Sequence, residues 1–426
     1  MNNRFSRLFN LTEAQAIEIL DAPAADSDEA SGRYIAASHL VNFDTEAVIA
    51  ALVRAVQKAD DDLDNRIVRR KAVESLGRLK VKAALPIIAS CLMDEDSYLV
   101  ENAAWAIGEI GQAISLVDPA ILEKLAQQLD RPGQSYRTII HSLAALGYEP
   151  AADRIAKFTA SDQAPIASAA LSAMYRLKGD DKAIPQVIQF LQSLDVNARR
   201  GSIQDLIDAN YYRAIPHIAQ CPVSSVFRLR GIRLLAKAGM DEGKLTFAQV
   251  QPLLEKVICD HPNDVALIHH YDQPLAVKTL VQDLYGTDFG RCYLASKTLI
   301  DDLPDQAPAA MLESYESEGY NDYGAHYHLM RLFGWLKVTA AYDLLIGALN
   351  NKAPQFQKSR MAAAIALGEL GEKRAITELR SALSVPIWSL QYAAILALSK
   401  LGEANIVSYL TTEPSDWLVQ EKLKTL

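Results

Sequence analysis

The sequence predicts an all-α solenoid, and three observations lead to it. An Ala-rich helical segment ending in Leu-Gly recurs along the chain. Its copies stand about 31 residues apart. Each period also holds two apolar-periodic stretches of helical length joined by a short polar turn. The clearest copy is Tyr98-Leu-Val-Glu-Asn-Ala-Ala-Trp-Ala-Ile-Gly-Glu-Ile-Gly111, and a close relative is Arg360-Met-Ala-Ala-Ala-Ile-Ala-Leu-Gly-Glu-Leu-Gly371. Weaker copies end at Lys80, Gly147, Lys337 and Gly402.

Within one period the first helix reads Ala83-Ala-Leu-Pro-Ile-Ile-Ala-Ser-Cys-Leu-Met93. The turn Asp94-Glu-Asp-Ser97 supplies side chains able to cap the next helix. The second helix stops at Leu-Gly, where glycine takes the left-handed cap. Ala103, Ala104 and Ala106 let neighbouring helices approach closely. One such pair cannot bury its own apolar face, so the units must stack. About eleven to twelve helix pairs are expected, in a HEAT-like or armadillo-like superhelix. One pair is degenerate near Asp272, and an N-terminal one lies around Tyr34–Phe43. The turn signal Asp260-His-Pro-Asn-Asp264 suggests a boundary near residue 262. Residues 1–33 read as a short cap helix followed by a mobile loop at Asp21–Gly32.

The composition is globular, with 50% hydrophobic and 22% charged residues. A net charge of −9 argues against a nucleic-acid partner, whose affinity comes mainly from neutralised phosphates. Cys91, Cys221, Cys259 and Cys292 form no CxxC pair, so a reducing compartment without a disulfide framework is expected. No signal-peptide core or membrane-length apolar run is present, which points to a soluble cytoplasmic protein. No metal site is expected, because His326 and His328 are two apart on a helix and point to nearly opposite faces.

Aligning the second helices on their markers yields two inner columns. The first reads Arg70, Glu101, Arg137, Ser168, Arg200, Tyr327, Met361 and Tyr392. The second reads Glu74, Trp105, His141, Ser172, Gln204, Arg331, Ile365 and Leu396. Tyr293 and Lys297 fall in these columns in the least regular unit, and Tyr98 and Tyr136 stand beside them. If second helices line the concave side, Arg, Tyr, Trp, His and Glu mix along a groove that turns apolar at its end. Such a groove suits a flat conjugated ligand carrying carboxylates, or a peptide, the commoner role of such repeats. The densest chemistry is Tyr315 with Tyr320-Asn-Asp-Tyr-Gly-Ala-His-Tyr-His328, at a turn entering a second helix. Its phenols, carboxylate and imidazoles can handle protons, or can serve only as a polar helix cap.

The repeats Val100–Gly111 and Arg360–Gly371 resemble those of the E/F-type phycobilin lyases, HEAT-like proteins that attach open-chain tetrapyrroles to phycobiliprotein cysteines. A chain of 426 residues resembles the fused, single-chain form throughout its length. The resemblance implies an E-type-like segment at 34–262, an F-type-like segment at 263–426, and bilin as substrate with no separate cofactor. It further implies phycoerythrobilin as the bilin, a phycoerythrin α subunit as acceptor, and in some members isomerisation to phycourobilin. The Asn-His-Cys-Gln-Gly-Asn run of the phycoviolobilin-forming isomerases is missing, which disfavours that reaction. Tyr320, Asp322 and Tyr323 are then expected to handle the proton, with His326 and Tyr327 nearby. Arg70, Tyr98, Glu101, Trp105, Tyr136, Arg137, His141, Arg200, Tyr293 and Arg331 would contact the substrate. A non-catalytic scaffold or assembly chaperone is the competing expectation.

Overall fold

The structure is a computed structural model that describes residues 11–23, 30–58, 62–114, 117–180, 182–410 and 413–426. Twenty-four α-helices and no strand occur among these residues. Short first helices, often prolonged by a 3-10 turn as at Cys91–Met93 and Gln128–Asp130, alternate with longer second helices such as Ser97–Ile114. The chain divides into two compact units, Met1–Gln186 and Val187–Leu426. The fold is the expected all-α HEAT solenoid. The turn near residue 262, expected to mark a boundary, lies inside the second unit.

Helix starts follow a recurrent device. Asp118, Asp195, Asp288, Asp322 and Asp416 each accept a hydrogen bond from a backbone N–H of the helix that follows. This satisfies a donor the helix itself leaves free. In the unit that best shows the repeat, Asp96 plays this part for Tyr98 N. Helix ends divide into two kinds. Gly147 and Gly371 take φ of 63° and 75°, as the Leu-Gly signature predicts. Gly111 does not: its helix continues to Ile114, and a Cβ there would lie 2.3 Å from Leu146 Cδ2. That glycine is required by close packing, not by a cap.

In the first unit one continuous apolar core runs from Ala16 in the first described helix to Leu177, with Ala103, Ala104 and Ala106 fully buried in it. Of the expected mobile stretch, residues 24–29 lie outside the described residues. Glu13–Asp21 and Ala30–His39 are helices, and Ala16, Leu20, Ala36 and Ala37 join the core.

The second unit departs from the repeat. The degenerate pair expected near Asp272 has only its first helix, Phe247–Cys259; residues 265–276 run without helix, and Ala266 N donates to Gln220 O at 2.9 Å. Phe247–Cys259 packs on Ser225–Asp241 and Ile215–Gln220 before it and, with no second helix of its own, also against the second helices Gln357–Leu370 and Trp388–Lys400. Tyr392 Oη donates to Glu255 Oε1 at 3.1 Å, and Lys422 reaches the same carboxylate at 2.9 Å. The late inner columns turn apolar because this helix covers them: Met361, Ile365 and Tyr392 are buried.

Candidate functional site

Two layers of polar chemistry meet in the second unit. The inner layer is built on Asp260, which ends Phe247–Cys259 in the left-handed conformation at φ 52° and turns its carboxylate inward. Arg228, on helix Ser225–Asp241, forms a buried ion pair with it. Tyr293 Oη lies 2.9 Å from Asp260 Oδ2, and Tyr327 Oη donates to the same oxygen. Ser225 Oγ lies 2.8 Å from Tyr327 Oη. Arg331 reaches Tyr327 Oη at 3.4 Å and Ile258 O at 2.5 Å. All of these side chains are almost wholly buried. Burial, reinforced by Asp260, pushes the Tyr327 phenol up to about 12, and Tyr293 also lies well above the ordinary phenol range. Burial opposes the charge on Arg228, yet Asp260 and the two phenols outweigh it and hold the guanidinium protonated. These phenols keep their protons; the layer ties four segments together.

The outer layer lies where several second helices begin. Lys358, the second residue of helix Gln357–Leu370, holds its Nζ 4.6 Å from the Phe289 ring centre, 5.1 Å from Tyr327 and 5.9 Å from Tyr323. Burial pulls this ammonium down to about 8, against the attraction of neighbours that include Asp322 and Asp260. Tyr320 and Tyr323 are more than half exposed. Asp322 uses Oδ1 to cap its helix, accepting from Gly324 N at 2.9 Å and Ala325 N at 2.7 Å. An open depression of about 310 Å³ beside it is lined by Tyr285, Ser317, Glu318, Tyr320, Asn321 and Asp322. Arg200 places its guanidinium 5.4 Å from the Phe227 ring and donates to Thr287 O at 3.1 Å. Beside it Arg199 pairs with Asp288, whose other oxygen lies 2.9 Å from His269 Nε2.

The structure thus brings Tyr320, Asp322 and Tyr323 to an accessible rim, as the turn position suggested. It does not make groove walls of Tyr293, His326, Tyr327 and Arg331: the end of Phe247–Cys259 and Asp260 cover Tyr293, Tyr327 and Arg331, and His326 is buried elsewhere. His326 lies between the rings of Tyr315 and Phe356, and burial lowers it to about 4, so it is neutral at pH 7.

In the first unit the inner residues pair locally. Arg70 binds Asp96 through two contacts of 2.6 and 2.8 Å and lies over Tyr98. Glu101 accepts from Ser135 and Thr138. Arg137 donates to Pro165 O, and Tyr136 stacks on Phe158 while donating to Arg131 O. Trp105 packs over Gly77, and His141 is half-buried.

Asp260, Arg228, Phe289 and Lys358 escaped the sequence reading. The Asp260 turn looked like a linker, although its residues are those of an inward-facing polar turn. Lys358 falls one helical turn before the columns. Its signal was a cation in a first helical turn, where the macrodipole favours anions.

Comparison with known proteins adds an independent line. HEAT repeats match residues 61–144 and 342–425. The chain is 53% identical over 422 residues, 99% of each chain, to an "uncharacterized phycocyanin operon protein Y" of Pseudanabaena tenuis. It is 30% identical to the bilin biosynthesis protein CpeY of a Synechococcus species, across 90% of this chain and 92% of that one. It is 28% identical to a phycocyanobilin lyase subunit alpha of a Nostoc species, across 50% of this chain and 82% of the other. No helix among the described residues is long and apolar enough to cross a membrane. Two relatives matched nearly end to end, together with the repeat and its helical stack, establish that the chain belongs to the E/F-type phycobilin lyase family.

Proposed function

We propose that this protein is a bilin lyase that attaches phycoerythrobilin to a cysteine of a phycoerythrin α subunit. The observation that carries the reading is the likeness to the bilin biosynthesis protein CpeY over nine-tenths of the chain. The reaction is an addition. The acceptor sulfur bonds to the exocyclic ethylidene carbon of ring A, a proton goes to the ring carbon of the same double bond, and nothing leaves. The enzyme's task is to hold a floppy chromophore in one geometry and supply a proton.

Burial pushes Cys221 and Cys292 up to about 12 and raises Cys91 and Cys259 as well. All four therefore remain thiols at neutral pH, which supports noncovalent holding of the bilin over a covalent carrier. Tyr320, Asp322 and Tyr323 form the proposed proton-handling group. A pyrrole N–H would find the Asp322 oxygen that the helix cap leaves over, and the exposed phenols flank it.

Co-expression with a phycoerythrobilin-producing pathway and the acceptor subunit tests the reading. A covalently coloured subunit is expected, and its absorbance separates phycoerythrobilin from phycourobilin. A colourless subunit overturns the reading. Tyr320→Phe or Tyr323→Phe should slow attachment at least tenfold, about 1.4 kcal/mol of barrier. Asn caps a helix as well as Asp does, so Asp322→Asn keeps the fold and reports on the charge alone. That the Asp322 contacts within the chain are a cap favours a second reading, a non-catalytic assembly chaperone. Wild-type attachment by all three variants would support it.

A further inference from the structure

Resting on the bilin reading, we propose that Lys358 and Arg200 form a two-point carboxylate site, and that its ligand is the propionate pair of an open-chain tetrapyrrole. Lys358 makes no salt bridge among the described residues; its ammonium faces the rings of Phe289, Tyr327 and Tyr323 instead. A half-buried cation without a carboxylate partner is costly to keep. Asp322, a carboxylate on the rim, has one oxygen committed to two backbone N–H groups. Arg200 worsens the imbalance, since its charge opposes that of Lys358. Its Nε is buried with no hydrogen-bond partner among the described residues, and its guanidinium donates to a neutral carbonyl, Thr287 O. Next to Lys358, His328 is kept neutral by burial and by the charges of Lys358 and Arg331, so it adds no further positive charge there.

Lys358 over Phe289 and Arg200 at Thr287 thus share one face, and among the described residues neither has a carboxylate in direct contact. Each cation also has an exposed ring at hand, Tyr323 beside Lys358 and Phe227 beside Arg200. A ligand that brings carboxylates on a flat conjugated body meets both needs at once: charge-assisted hydrogen bonds for the carboxylates and ring faces for the body. Phosphate or acetate would meet only the first.

The test titrates the full-length protein with phycoerythrobilin and with its dimethyl ester, without acceptor, following the pigment's absorbance. The wild type should bind the diacid at least tenfold more tightly than the diester. Lys358→Met should weaken diacid binding about tenfold, the loss of one charge-assisted contact, and largely remove the preference over the ester. Lys358→Arg should stay within about threefold of the wild type. If Lys358→Met aggregates, Arg200→Met is read in the same way. Diacid binding unchanged in a folded Lys358→Met protein overturns this site while leaving the bilin reading intact. So does an equal loss for diacid and diester, which would make Lys358 a packing element. A wild type that binds neither pigment overturns the bilin reading and the site together.

Discussion

The same column of the same repeat has opposite fates in the two units. In the first, Arg70 pairs with Asp96, and Glu74 with Lys71 and Arg78, each pair with at least one partner open to water. In the second, Tyr327 and Arg331 hold the equivalent positions yet are buried against Asp260 and Ile258. What differs is that Phe247–Cys259, whose own second helix is missing, packs on Gln357–Leu370 and Trp388–Lys400 as well as on its predecessors. A position in a solenoid repeat therefore fixes which way a side chain points, and only the neighbouring elements decide whether it meets solvent or protein.

The largest expected consequence concerns where the chain can be cut. A fragment ending at Gln186 keeps the whole first core and should be soluble and helical. A fragment ending at Pro262 keeps Arg228, Asp260 and the helix Ser225–Asp241 against which Phe247–Cys259 packs, but loses Tyr293, Tyr327 and its contacts with Gln357–Leu370 and Trp388–Lys400. Residues beyond 186 should then stay unfolded, and limited proteolysis should trim the longer fragment back to about the shorter one. A 1–262 fragment that resists protease along its length would place the division at the later turn instead.

Next in size is the inner ion pair. Asp260→Asn suits the left-handed backbone, because Asn tolerates positive φ, but it leaves Arg228 as a buried charge without its counter-ion. Breaking a buried pair from one side costs about 3–5 kcal/mol, and urea unfolding should show a loss of that order in the second unit. A loss under 1 kcal/mol would mean that water reaches the pair.

These effects mark the limit of what the sequence made readable. The helix pairs, the Asp caps and the Leu-Gly ends depend on residues within a few positions of one another, so local chemistry spells them out. Tyr320, Asp322 and Tyr323 were legible for the same reason: a turn before a helix is a local feature. The burial of Tyr293, Tyr327 and Arg331 depends on the end of Phe247–Cys259, 33 residues from Tyr293, 67 from Tyr327 and 73 from Arg331, and on a missing partner helix at 265–276. No spacing within the repeat carries that information. Lys358 was hidden differently: alignment on helix ends drew the columns through Met361, so a side chain one turn earlier was never compared.

A smaller effect follows from the buried imidazoles. His326 is lowered to about 4 by burial, and His328 lies well below the usual range, first from burial and then from Lys358 and Arg331. Both groups take up protons more readily unfolded than folded. Their contribution to stability is thus full above about pH 6.5 and is lost as pH falls toward 4. The second unit should lose on the order of 3 kcal/mol across that window through His326. His326→Phe, which keeps a ring against Tyr315 and Phe356, should flatten the pH dependence of the unfolding midpoint between pH 7 and 5. An unchanged slope would assign the acid sensitivity elsewhere.

The smallest expected effect lies in the first unit and is the sharpest control on the comparison. Arg70→Met keeps most of the side-chain stem over Tyr98 and removes the charge opposite Asp96. Unlike Arg228, Asp96 is not left stranded, because its Oδ1 still accepts from Tyr98 N at 3.1 Å and Arg66 lies 3.9 Å from Oδ2. The Arg70 side chain is itself about a quarter exposed, so water replaces part of what the pair supplied. Asp96 is buried, yet with its other partners in place the loss should stay below about 2 kcal/mol, and raising the salt concentration should shrink it. Unfolding of the fragment 1–186 with and without Arg70→Met should therefore differ by less than that amount. A loss above about 2 kcal/mol, insensitive to salt, would show that this face is as sheltered as the one around Asp260, and the contrast between the two units would fall.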